Sequence, residues 1–141
     1  MRSTYLMLGV MLGLSLSCSG FRQTKADRAA LAANTWHALT VDGHAAIPVE
    51  VGARPWLQFG RDSARVAGST GCNRIAGPFT VNGSSLKFGP LAMTRMACVD
   101  SAVNAQESAF AAALNEVDEF AISADTLTLF SGGKPRLRFV R

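Results

Sequence analysis

Short alternating strands, one alanine-rich helix and three further strands predict an α+β domain, with a curled antiparallel sheet packed around a single α-helix. Three observations carry that expectation. Apolar and polar residues alternate at Trp56–Phe59, Arg65–Gly68, Phe79–Val81, Leu86–Phe88, Thr126–Phe130 and Arg136–Val140. Turn chemistry separates these runs at Gly60–Ser63, Asn82-Gly83, Ala124-Asp125 and Gly132–Pro135. Residues 102–117 contain neither proline nor glycine, and place Val103, Phe110, Leu114 and Val117 at helical spacing.

Taken in order, Trp36 and Leu39 open the folded part near Thr35, and Val41-Asp42-Gly43 turns the chain. Pro48 and Gly52 mark a loop with an edge segment, and Gly89-Pro90 ends a strand before a short one at Leu91–Met93. Asp100 or Ser101 caps the helix. Its apolar stripe leaves Gln106, Glu107 and Glu116 elsewhere on the helix, and Asp118-Glu119 reads as a solvated helix end. There is no internal repeat.

The 141-residue chain accommodates one domain. Hydrophobic residues make up 48% and charged residues 17%, a balance that excludes disorder for the body of the chain. The formal charge of +4 is a mild basic bias. Its arginines are scattered singly, without the density used on nucleic acid, and no nucleic-acid partner is expected.

Residues 1–18 read as an export signal. A short positive end at Met1-Arg2-Ser3 precedes an apolar run from Tyr5 to Leu16, shorter than the roughly 20 residues a membrane span needs. Cys18 resembles the lipidated cysteine of a bacterial lipoprotein, with Ser19 in the place of an outer-membrane sorting residue, although Ser15 stands where leucine is usual. The alternative is an ordinary cleaved signal that discards Cys18. Residues 19–33 read as a polar tether, briefly helical from Asp27, and residues 34–141 as the domain. The expected location is the periplasm, anchored on the outer membrane through Cys18, with membrane contact through the lipid alone and a monomeric state.

Export also changes the meaning of the two remaining cysteines. In an oxidising compartment Cys72 and Cys98 are expected to form a disulfide, which stabilises by about 3 kcal/mol in the loop-entropy model. Two buried free thiols and a soft metal site are the alternatives.

Some of these residues also occur in a family pattern: Gly71-Cys72-Asn73-Arg74 with Gly77 and Phe79, Leu91–Cys98 with Thr94 and Met96, then Glu107, Phe110 and Leu114, and the closing Asp125–Leu129. The chain resembles the META domain of HslJ-type heat-inducible bacterial proteins from about Trp36 to Phe139. That resemblance implies a small α+β envelope domain associated with stress or antibiotic tolerance, without enzymatic activity, so no catalytic residues carry over. Pro78 departs from the pattern, and its missing donor implies an edge strand there.

The residue chemistry adds little to this. Gly68-Ser69-Thr70-Gly71 has neither the spacing of a nucleophile elbow nor the lysine of a phosphate loop, and reads as a turn. His37 and His44 lack zinc-site spacing and are expected at the surface. Met93, Met96 and Cys98, with Cys72, form a soft grouping that suits Cu(I), and copper handling is the alternative function. Methionines filling a core gap beside a disulfide are the stronger expectation. Arg136 and Arg138 share one face of the last strand with Arg141 beyond. They are expected to guard a sheet edge or to meet an anionic envelope component. The leading expectation is a cofactor-free, non-enzymatic envelope lipoprotein that binds another envelope component.

Overall fold

A computed structural model describes residues 27–48 and 54–141. Alternation sets the main strands, as in β3 (Trp56–Phe59), which buries Leu57 and Phe59, and β5 (Arg74–Asn82), which buries Ile75, Gly77, Phe79 and Val81. Around them run α1 (residues 27–32), β1 (Thr35–Val41), β2 (His44–Ala45), β4 (Arg65–Ser69), β6 (Ser85–Phe88) and β7 (Ala92–Met93). After these come α2 (Ser101–Glu116), β8 (Glu119–Ser123), β9 (Thr126–Ser131) and β10 (Lys134–Val140).

The strands pair antiparallel in the order β10-β9-β8-β6-β5-β4-β3-β1, and β10 then pairs with β1, placing Leu137 opposite Val41 and Phe139 opposite Ala38. Eight strands therefore close into a barrel, with β2 added beside β1 and β7 beside β5. The expected curled antiparallel sheet with one long helix is present in outline, but the sheet closes on itself. Closure removes the sheet edges, so β10, lying between β9 and β1, is no edge for Arg136 and Arg138 to guard.

Helix α2 packs against β1 and β10 on one side of the ring and β6 on the other, and so spans the barrel mouth. Asp100 caps it by accepting the Ala102 N–H at 2.7 Å. Its stripe of Val103, Phe110, Ala113 and Leu114 is buried, and the Phe110 ring meets Phe139 edge-on at 6.0 Å.

Three further expectations change. Leu31 of α1 is fully buried and its carbonyl accepts the Trp36 indole N–H at 2.8 Å, so packing starts inside the stretch read as tether. A single leucine among alanines gives no periodicity to read. The hairpin turn is Gly83-Ser84 rather than Asn82-Gly83, because Asn82 pairs with Ser85 and Gly83, at φ 58°, has the only positive φ there.

Pro78 sits in an interior strand. Its carbonyl accepts from Gly89 in the gap between the β6 and β7 pairings, so its missing N–H, which would point the same way, costs no ladder bond. In that gap the 90–91 segment crosses β5 so closely that a Cβ on Gly77 would lie 2.7 Å from the Pro90 carbonyl oxygen.

Replacing Leu31 by alanine is expected to lower the unfolding free energy by about 2 to 5 kcal/mol, measured by chemical denaturation. A tether residue would leave the midpoint unchanged.

Candidate functional site

The turn between β4 and β5 builds the most polar interior of the described residues. Gly71 takes φ 115°, which a side chain strains to adopt, and lets the chain reverse so that Thr70 N–H donates to the Asn73 carbonyl at 2.9 Å. Asn73 then points inward and is 1% exposed. Its Nδ2 donates to Glu107 Oε1 at 2.8 Å and to the Met96 carbonyl at 3.2 Å, while its Oδ1 accepts from Met96 N at 2.7 Å and Thr94 Oγ1 at 2.8 Å. Every hydrogen-bonding group of the amide is used.

Glu107 enters this cluster from α2. Its carboxylate accepts the Thr70 hydroxyl at 2.5 Å and the Asn73 backbone N–H at 3.1 Å as well as the amide. Gln106 beside it is buried and grips both backbone groups of Ile47, donating at 2.9 Å and accepting at 2.6 Å. Both side chains lie off the apolar stripe that the sequence marks out on the helix. Partners from remote segments draw them inward, and helical spacing cannot register those partners.

Cys72 and Cys98 are disulfide-bonded, with Cα atoms 6.0 Å apart, and the Asn104 amide holds the Cys98 carbonyl at 3.0 Å. Thr94 is anchored twice, donating its N–H to the Arg74 carbonyl and accepting Arg74 N–H at its hydroxyl, each at 3.0 Å. The backbone of residues 93–98 is thus fixed from beneath by β5 and α2.

Above that anchored backbone the side chains are open: Met96 is 61% exposed and Val99 106%, with Met93 and Arg95 also exposed. The methionines therefore do not fill a core gap, as the sequence suggested. Nor is the soft-metal set assembled, because the two sulfurs are bonded to each other; their nearness to Glu107 is that of a covalent bridge beside a carboxylate. Ser69 and Thr70 are buried and engaged in the turn, which leaves neither hydroxyl presented to a substrate.

A model of the META domain matches residues 29–141. The chain belongs to the META domain family. Among curated proteins no relative matches it in sequence. Three solved structures share the fold. One, determined by NMR, is 24% identical, with TM-score 0.65, over 80% of this chain and 93% of the other. Another, from Burkholderia xenovorans and also determined by NMR, is 23% identical, with TM-score 0.63, over 96% and 98%. The third, a crystal structure of a DUF4847 family protein from Bacteroides vulgatus, is 17% identical, with TM-score 0.52, over 78% and 93%.

Within this META domain the residues that carried the resemblance meet in one place: Gly71, Thr94, Met96 and Glu107 form a lock around the buried Asn73, and Arg74 and Gly77 continue it along β5. Two of the three arginines read as an anionic-partner face do not stand free. A bulge in β10 re-aims Arg136 to Asp42, with Nε–Oδ1 2.5 Å, and to Glu116 near the helix end. Hydrogen bonds from Asp42 and then Glu116 push Arg136 above its already high ordinary pKa, and it supplies the cation that the last turn of α2 lacks. Arg141 pairs with Asp125 at 2.6 Å, and only Arg138 of the three is without an ion pair among the described residues. His37 and His44 are exposed, as expected. Cys18 lies outside the described residues.

Substituting Asn73 by aspartate is expected to destabilise the domain by about 3 kcal/mol or more at neutral pH, since a second carboxylate then faces Glu107. Protonation relieves that repulsion, so the deficit relative to wild type shrinks as pH falls, as thermal melts across the acid range would record. The Cys72→Ala/Cys98→Ala pair is expected to cost about 3 kcal/mol without loss of the far-ultraviolet β signature.

Proposed function

We propose that this chain is an exported, lipid-anchored binding module of the bacterial envelope, non-enzymatic, which supports stress or antibiotic tolerance by holding another envelope component. The observation that carries the reading is the division of the motif. Its hydrogen-bonding groups are spent inward on Asn73, while the backbone they fix turns the side chains of Met93, Arg95, Met96 and Val99 outward. A pre-organised exposed loop suits binding, because its ordering cost is met in folding. A catalytic group would need the opposite arrangement, with a reactive side chain presented to substrate.

Further support comes from the sequence: the apolar N-terminal run, with Cys18 at its end, motivates export and anchoring. The decisive measurement is the intact mass of the protein extracted from native membranes and alkylated before and after reduction. The expected species is acylated at Cys18, with Cys72 and Cys98 closed to alkylation until reduced. A soluble, unacylated product would remove the anchor, and freely alkylated Cys72 and Cys98 would remove the staple from the native molecule.

A further inference from the structure

Three of the four large hydrophobic side chains exposed among the described residues lie within seven positions, at Met93, Met96 and Val99. Their setting is basic. Residues 54–98 contain six basic residues and one acidic residue, Asp62, whereas residues 99–141 contain four basic and six acidic. The barrel keeps this division in space, because β3, β4, β5 and β6 are consecutive neighbours and β7 pairs with β5. One side of the molecule is therefore cationic, and the apolar loop leaves β7 on that side.

Arg74 and Arg95 bring charge to the loop itself. Arg74 bonds through its backbone to Thr94, and its guanidinium lies over the Trp56 ring at 5.7 Å. Arg95 stands exposed between the two methionines. Neither is in an ion pair among the described residues, where every pair involves Arg136 or Arg141.

Exposed apolar side chains interleaved with unpaired guanidinium groups match a surface that is apolar beneath and anionic above. We propose that the Met93–Val99 loop docks the domain on an anionic phospholipid surface. Met96 and Val99 enter the boundary between headgroups and acyl chains, and Arg74 and Arg95 meet the phosphates. This rests on the reading of the chain as an envelope-binding module, and names the chemistry of its partner. The buried Asn73 lock is what allows it: fixed backbone lets the loop enter without the cost of ordering it.

The test uses the full chain carrying Cys18→Ser, so that no acyl chain contributes, and vesicles of phosphatidylcholine with or without phosphatidylglycerol. Any contribution of the N-terminal segment is common to all variants. Arg74→Glu/Arg95→Glu is expected to weaken binding to the anionic vesicles by about ten-fold or more. The charge-matched control Lys134→Glu/Arg138→Glu, on exposed positions of β10, is expected to stay within about two-fold of wild type. Met96→Ser/Val99→Ser, which changes no charge, is expected to weaken binding by about ten-fold through lost apolar transfer. Thermal melts confirm that each variant is folded.

Equal losses in both charge-reversed pairs would overturn the proposal in favour of net charge alone, as would full binding by the Met96→Ser/Val99→Ser variant. A wild-type chain that ignores the vesicles, while a photo-cross-linker at position 96 captures an envelope protein, would overturn the lipid surface and leave the binding-module reading standing. Neither vesicle binding nor capture would sink both.

Discussion

The structure depends on one buried carboxamide. Asn73 has lost almost all contact with water, and leaving any of its polar groups unpaired there would cost about 1 to 3 kcal/mol each. Its carboxamide partners come from two parts of the chain far from it in sequence, the 94–96 segment and Glu107 of α2. The amide can be satisfied only when β5, the crossing segment and the helix are all in place. That requirement places α2 at the end of the barrel where the loop emerges. The disulfide adds a covalent tie between the 70–73 turn and the segment that ends at Cys98, beside the hydrogen bonds rather than in place of them.

Barrel closure and the lock divide the remaining tasks. Apolar burial by Trp36, Phe79, Phe110, Phe139 and the surrounding leucines supplies the main driving force and is indifferent to direction. Directional bonds then select one placement of the helix and one path for residues 92–98. Arg136 repeats the device at the other end of α2, joining the β1–β2 turn and β10 to Glu116. Both ends of the helix are tied to the barrel by polar groups, and its middle by Phe110.

The relation of lock to loop links fold to function. A flexible loop rich in methionine would bury its own side chains or pay to be ordered on binding. Here the backbone from Thr94 to Cys98 is held by Asn73, Arg74 and Asn104, so Met96 and Val99 stay open. The conformational cost is met once, during folding. The proposed binding surface is made by residues whose backbone is structural and whose side chains are not.

Strand positions, the helix and its Asp100 cap, and the META pattern were legible in the sequence because each is a local property: alternation, 3.6-residue spacing, or a short string such as Gly71-Cys72-Asn73. Closure was not legible, because whether β10 meets β1 depends on twist and stagger accumulated over eight strands. The inward bonds of Gln106 and Glu107 were not legible for a related reason, since their partners lie outside any window along the chain. Met96 and Arg136 were visible as candidates, but whether they faced water or a neighbour was decided elsewhere. The sequence by itself determined which residues can form strands, helix and turns. Only the tertiary structure decided which polar groups are spent inside and which side chains are left exposed, because hydrogen-bond satisfaction and exposure belong to the assembled molecule.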